Sequence, residues 1–363
     1  MKKFLVLMIG LIWFFGGCEK KDTEDRIKNI KIVTIGAILP LTGPVSEFGN
    51  WIKQGMKLAS NEINKKQKKL QIDIIYEDSK FDSKTGILAF NKLQKINHVD
   101  ICYTAMSKVA IPIIKNNKNK MMPIILQDVT YPNITEFDRT VFRHFIQSDR
   151  EAEIMSNFIL EKNITKLSVI YVNDEAGIGA KNKIEETLKN IISNEVAFLS
   201  NSSDLKSIVL KSMKNKPDGI YLYGNGPSWA NILKKLKELN YTGTIFTNTA
   251  MYIPTFRKIA GNAIENIYFT YPKIGDNERY LKFHKSYFKA YGENPQLEAI
   301  YAYDLVTYLF ESINNSQNKS IIEALRGNNY FNSLFDNLVI KNRDFITPIS
   351  IGVMKNNKIK EVY

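Results

Sequence analysis

Short β-branched and aromatic runs alternate with amphipathic stretches through most of this chain, and that alternation restricts its fold more than any single motif does. Runs at 32–39, 70–76, 99–104, 123–127, 167–172, 195–199, 219–223, 244–247, 266–270 and 349–353 read as strands, with helices between most of them. Such alternation predicts an α/β protein with parallel, doubly wound sheets, whose ligands sit beyond the carboxyl ends of the strands. A single core seldom grows past about 250–300 residues. With 363 residues, 44% of them hydrophobic, the chain therefore has material for two domains.

The first unit is the most informative. An apolar strand ends at Leu39-Pro40, continues through Leu41-Thr42-Gly43-Pro44-Val45-Ser46-Glu47-Phe48-Gly49, and becomes a helix whose Ile52, Met56, Ala59 and Ile63 recur at helical spacing. The first amides of that helix have no acceptor within it and are directed to where the strand ends, an arrangement that suits a small anion. An ordinary βα unit with a long loop accounts for the same residues. The plan recurs at 167–188, where a strand is followed by Asn173-Asp174-Glu175-Ala176-Gly177-Ile178-Gly179 and a helix around Ile184 and Leu188. Two similar lobes facing each other would bring both loops to one cleft.

The N-terminus bears on where the protein works. Lys2 and Lys3 precede an apolar run from 4 to 15, too short to span a bilayer, and Gly16-Gly17-Cys18 follows. Residues 1–17 therefore read as a secretory signal. Small residues before a cysteine resemble the bacterial lipobox, which implies lipidation of Cys18, although Phe15 stands where that pattern usually has Leu; a plain signal peptide is the alternative. Residues 18–29 are charged, lack apolar periodicity and read as a tether. The formal charge of +13 comes from scattered lysines, two of which leave with the signal, and without basic patches interleaved with stacking aromatics it argues against a nucleic-acid partner. With Cys18 committed to lipid, Cys102 has no disulfide partner and reads as a buried strand thiol. His98, His144 and His284 lack metal-ligand spacing, and no phosphate-binding loop or complete dinucleotide fingerprint occurs, so neither a metal nor a cofactor is expected and no catalytic constellation stands out.

Several ordered motifs carry a family likeness. Gly36-Ala37-Ile38-Leu39-Pro40-Leu41-Thr42-Gly43-Pro44 with Phe48-Gly49, Gln54-Gly55, Ala59-Ser60-Asn61-Glu62-Ile63-Asn64, Tyr76-Glu77-Asp78-Ser79, and Pro123-Ile124-Ile125 with Thr130 resemble the leucine/isoleucine/valine-binding family of periplasmic solute-binding proteins. Phe142-Arg143 and Tyr271-Pro272 resemble the first two crossings between lobes. The resemblance implies two Rossmann-like lobes with parallel doubly wound sheets, joined by three crossover strands and closing on a ligand by a hinge. The expected division is 31–143 with 273–329 for the first lobe and 145–271 with 335–363 for the second. It also implies a monomer on the periplasmic or extracytoplasmic face of a membrane, delivering a small amino acid, carboxylate or amide to the permease of an ABC importer; a sensory receptor of the same fold is the alternative.

The resemblance assigns site residues one by one. Ser107 and Thr130 match the positions that hold a ligand carboxylate, although either residue type also serves as a helix cap. Phe48 matches the aromatic that covers the ligand, with packing on its own lobe as the alternative. In the second lobe the pattern breaks: Ala250 stands where relatives place a glutamate against the ligand ammonium, and Ala176 where they place an aromatic. Asp128, two residues before Thr130, occupies a position that is usually small and apolar. It either replaces the missing carboxylate, bonds another polar group, or faces solvent as a loop acid. Tyr221, Tyr223, Asn225 and Trp229 suggest an aromatic wall suited to a larger ligand, or else strand-core packing.

Overall fold

Burial on both faces explains why β1 (Lys31–Leu39) is apolar almost throughout: Val33, Ile35, Ala37 and Leu39 enter one hydrophobic layer while Ile38 enters another. The structure is a computed structural model and describes residues 30–67, 69–117, 122–316 and 319–363; the expected signal 1–17, the tether 18–29 and Cys18 lie outside them. From β1 the chain runs through α1 (Ser46–Lys66), β2 (Leu70–Asp78), α2 (Ser83–Lys95), β3 (Ile101–Ala105), α3 (Ser107–Asn116), β4 (Ile124–Gln127) and β5 (Val141–His144). It then crosses to a second unit of α4 (Ser148–Glu161), β6 (Leu167–Val172), α5 (Glu175–Leu188), β7 (Ile192–Phe198), α6 (Leu205–Ser212), β8 (Gly219–Tyr223), α7 (Gly226–Glu238), β9 (Thr244–Thr247), α8 (Pro254–Ala260) and β10 (Tyr268–Pro272). A return passage forms α9 (Glu278–Tyr291), α10 (Leu297–Asn314), α11 (Ile321–Gly327), β11 (Val339–Lys341) and β12 (Asp344–Ile346). The last crossing leads to β13 (Ile349–Lys355) and β14 (Lys358–Glu361).

The two sheets have matching plans. Their orders are β11-β12-β5-β4-β3-β1-β2 and β14-β13-β10-β9-β8-β6-β7, so the repeated strand, loop and helix plan of the sequence becomes the same five-strand winding twice. This is an α/β fold of two mostly parallel sheets with flanking helices. The edges differ from the expected all-parallel sheets: β11 pairs antiparallel with β12, and β13 pairs antiparallel with both β10 and β14. Two tight turns produce those hairpins, with Asn342 and Arg343 at φ 52° and 69° and Asn356 and Asn357 at φ 50° and 58°, the doubly positive pattern of a two-residue hairpin loop.

One expected boundary changes as a result. The segment 335–363 does not lie wholly in the second lobe, because β12 pairs in parallel with β5 of the first sheet, Asp344 opposite Arg143 and Phe345 opposite His144. The reason is local and electrostatic. Arg143 is buried and donates to Asp344 through Nε (2.6 Å to Oδ1) and Nη2 (3.0 Å to Oδ2), a bidentate pair that fixes the hairpin to the sheet. Among the described residues no helix is long and apolar enough to cross a membrane.

Candidate functional site

The strand ends of the first lobe build one wall of a cleft. Between β1 and α1, the Asp78 carboxylate at the end of β2 accepts from the backbone amides of Leu41 (2.9 Å), Thr42 (3.3 Å) and Lys80 (2.8 Å) and from the Thr42 hydroxyl (2.5 Å). Although burial pushes its pKa up, those donors hold the carboxyl below its usual range, and the loop is stitched in place. Gly49 is required where it stands: a Cβ there would lie 2.2 Å from the carbonyl oxygen of Pro40. Helix α1 consequently starts hard against the strand end and carries Phe48 out of its own lobe. The Phe48 ring lies 6.0 Å from that of Phe256 and 5.6 Å from that of Trp51, and its side chain joins the hydrophobic cluster of the second lobe. The Thr255 hydroxyl donates to Glu47 at 3.0 Å beside it.

Two residues after neighbouring strands of this wall adopt left-handed backbones that side chains disfavour. Met106, after β3, has φ 69° and ψ 131°, and Asp128, after β4, has φ 53°. Such conformations cost of order 1–3 kcal/mol each and persist where the surroundings hold them, frequently at binding sites. Ser107 opens α3 as its first residue, half-buried, with Met106 rather than Ser107 in the cap position. Thr130 lies in the loop after Asp128, and its backbone carbonyl accepts from the amide of Ser148 at 3.0 Å, tying that loop to the start of α4. Arg143 completes the support by donating through Nη1 to the carbonyl oxygens of Tyr131 and Val129, the latter at 3.3 Å. One buried guanidinium thus holds both the Thr130 loop and the C-terminal hairpin.

The second lobe faces this wall with its own loops. The Thr130 side chain lies beside the Tyr223 phenol at the end of β8. Tyr223 in turn donates to Glu151 Oε2 at 3.3 Å, while Glu151 Oε1 accepts from the Thr249 amide (2.9 Å), the Thr249 hydroxyl and the Thr270 hydroxyl (2.7 Å). Burial pushes the Glu151 carboxyl up in spite of these donors. At the start of α5, Asp174 caps the helix by accepting from the Gly177 amide at 2.8 Å, and Ala176 is half-buried in the first turn. A Cβ at Gly179 would lie 2.7 Å from Pro132 of the first lobe, so α5 closes directly over the Thr130 loop.

The expected residues divide in their placement. Phe48, Ser107, Asp128, Thr130 and Ala176 come to the facing walls, and Ala250 is buried next to Thr249 in the short turn Thr249–Tyr252. Asn225 is exposed at the cap position of α7 without a cap hydrogen bond, apart from this group. The aromatic wall is corrected: Trp229 is fully buried in the second-lobe core, donating its indole N–H to Thr247 Oγ1 at 2.9 Å, and Tyr221 is equally buried. Of that cluster only the Tyr223 hydroxyl reaches the cleft network, because β8 is a central strand with both faces covered. Asp128 is no solvent-facing acid, since both carboxylate oxygens are closed off from solvent and lack a hydrogen-bond partner among the described residues. Cys102 is a buried β3 thiol, pushed up by burial.

Two acids at the cleft escaped sequence reasoning. Glu151 shares a helical face with the buried Ala152, Met155 and Phe158 of α4, and Glu298 opens the otherwise apolar run Leu297-Glu298-Ala299-Ile300-Tyr301 of α10. A carboxylate embedded in a stripe that ought to be apolar was the available signal. A hollow of about 490 Å³ lies elsewhere, beside β7 and α6 and lined by residues such as Asn201, Ser203 and Ser207; none of the expected site residues borders it.

The sequence and the fold both have relatives. The family of periplasmic binding proteins matches residues 32–357. The Leu/Ile/Val-binding protein BraC3 of Rhizobium johnstonii is 28% identical over 246 residues, 66% of this chain and 67% of that protein. Among solved structures, the branched-chain amino acid transporter substrate binding protein LivJ of Streptococcus pneumoniae, in complex with isoleucine, superposes with a TM-score of 0.82 at 20% identity, over 92% of this chain and 99% of that one. A solute binding protein of an ABC transporter from Rhodopseudomonas palustris, in complex with 3,4-dihydroxy benzoic acid, gives 0.80 at 17% identity, over 91% and 96%. At these identities the two structural matches establish the fold and nothing further.

Proposed function

The chain belongs to the periplasmic binding protein family, and from that premise we propose that it is an extracytoplasmic solute-binding protein that captures a small carboxylate or amino-acid-like solute between its lobes and passes it to the permease of an ABC importer. The relatives support the class of ligand: one is named for leucine, isoleucine and valine, and neighbours of the fold hold isoleucine or a dihydroxybenzoate. The observation that carries the reading is the convergence of Thr130, Ser107 and Phe48 from one lobe with Tyr223 and Ala176 from the other at the carboxyl ends of both sheets, where doubly wound folds bind their ligands. Hydroxyls of Ser107 and Thr130, next to the free amides opening α3, hold a carboxylate without a lysine. Phe48 covers it, and contacts to both lobes favour the closed arrangement over an open one. Binding is the whole of the activity; no residue is assigned a chemical step.

Cys18 would carry the lipid that keeps this domain at a membrane surface, since two acyl chains suffice for stable anchoring. A thermal-shift screen of amino acids, amides and small carboxylates tests the central reading. A solute at 100 times its dissociation constant should stabilise the protein by about 2.7 kcal/mol. Absence of any response across those classes would count against a solute-binding role.

A further inference from the structure

We propose that Asp128 and Glu298 together form a subsite for a positively charged nitrogen of the solute, so that the solute is an amine or guanidine and not a plain anion. This rests on the reading of the cleft as a solute site and narrows the solute's class. Asp128 follows β4 in a left-handed conformation, and both of its carboxylate oxygens are shielded from solvent with no hydrogen-bond partner among the described residues. Glu298, in the first turn of α10, is only 3% exposed. One contact joins the segments that carry these acids. The Gln127 side-chain amide donates to the Glu298 carbonyl at 2.9 Å, joining the end of β4 to the start of α10. Gly55 lets α1 approach the same turn, since a Cβ there would lie 2.3 Å from the carbonyl oxygen of Ala299.

Among the described residues no cation faces the pair, and the donors beside them are the Gln127 side-chain amide next to Asp128 and the backbone amide of Glu298. Their titratable neighbours are Tyr103 from β3, Tyr287 from α9, Tyr301 from α10, Glu47 from α1 and Tyr252 from the second lobe. His144 lies 4.8 Å from the Tyr301 ring but is already bound to Asp304 at 2.9 Å. None of the ion pairs among the described residues includes Asp128 or Glu298. Glu151, across the cleft, is the informative contrast: four donors satisfy it, so it needs no ligand. An unpaired buried carboxylate is costly, and an ammonium or guanidinium supplies both the missing charge and the missing donors. The nitrogen would thus be held by the first lobe, two residues from Thr130, and the second lobe needs no carboxylate at Ala250. Burial lifts the Asp128 carboxyl to about 7, and burial together with the Asp128 charge raises that of Glu298, so a cation entering at pH 6 would displace a proton.

Thermal shift on the protein lacking its signal, with two probe sets at millimolar concentration, decides. Putrescine, agmatine, lysine, arginine and 4-aminobutyrate form the cationic set; 4-hydroxybenzoate, 3,4-dihydroxybenzoate and glutarate form the anionic one. At least one amine should raise the Tm and no anion should. For the best amine, Asp128→Asn and Glu298→Gln should each weaken affinity roughly 10- to 150-fold, the loss expected on removing a bond to a charged group. Calorimetry of the unmodified protein at pH 6, in two buffers of different ionisation enthalpy, should show proton release on amine binding and so does not depend on the variants folding. Stabilisation by anions alone, or amine binding with no proton release and unchanged affinity in both variants, would overturn the subsite. Silence from both sets would instead refute the solute-binding reading beneath it.

Discussion

Truncating Asp344 should show how firmly the hairpin and the Thr130 loop depend on one buried ion pair. In Asp344→Ala the guanidinium of Arg143, with a side chain of zero exposure, keeps its charge and loses both carboxylate bonds, of 2.6 and 3.0 Å. Removing one partner of a buried pair costs about 3–5 kcal/mol, because the remaining charge stays desolvated. The Thr135 hydroxyl, which donates to the same carboxylate at 2.9 Å, loses its acceptor and adds on the order of 1 kcal/mol. Urea unfolding followed by circular dichroism should therefore place the variant about 4–6 kcal/mol below the parent at an unchanged m value. The double replacement Arg143→Met with Asp344→Leu should be less damaging than the two single changes added, since it removes the charges together. A loss below about 1 kcal/mol, the range of a solvated surface pair, would refute the reasoning. The same variant should bind solute more weakly, because the carbonyls of Val129 and Tyr131 depend on that guanidinium.

Other expectations follow from the same geometry. Thr130→Ala should weaken solute binding roughly 10- to 150-fold by calorimetry, and unaltered affinity would leave Thr130 without a binding role. Leucine, isoleucine and valine should bind more weakly than the best cationic probe, since Ala176 gives their side chains no aromatic cover and Ala250 gives their ammonium no second-lobe partner beyond the first-lobe acids; submicromolar valine binding would contradict this. Because burial raises Asp128 from 3.8 to about 7, its contribution to the stability of the unliganded protein is full below pH 4 and is lost as the pH rises through 7. Asp128→Asn should then flatten the fall in Tm between pH 5 and 8, whereas an unchanged slope would mean the carboxylate is not buried unpaired. Mass spectrometry of membrane-extracted protein should find a lipidated Cys18 as its first residue, and a soluble form beginning elsewhere would exclude the anchor.

Much of the winding was legible because buried parallel strands leave uninterrupted apolar runs: 167–172, 219–223 and 244–247 are strands over those same residues in the structure. The edge hairpins were illegible for the opposite reason. β11 and β12 are three residues each, β11 is largely exposed, and its turn is Asn342-Arg343 in place of an Asn-Gly signal. Phe142-Arg143 marked a crossing correctly by resemblance, yet nothing in sequence told that Arg143 pairs with a residue 201 positions away. Of the site, hydroxyls at strand ends were readable as types, while the isolation of Asp128 depends on what is absent around it, and absence has no sequence pattern. Trp229 stood open between cleft wall and core packing because a helix's first turn gives no indication in sequence of which way a large side chain leans; it is core.

A crystal structure of the protein with the solute that stabilises it most tests the account more directly than any other measurement. The account predicts density between the lobes, within hydrogen-bonding distance of the Thr130 hydroxyl and covered by Phe48, with the first turn of α5 closing over the other side. A solute seated anywhere else, for instance in the hollow beside β7, with the space between Thr130 and Ala176 filled only by water, would contradict it.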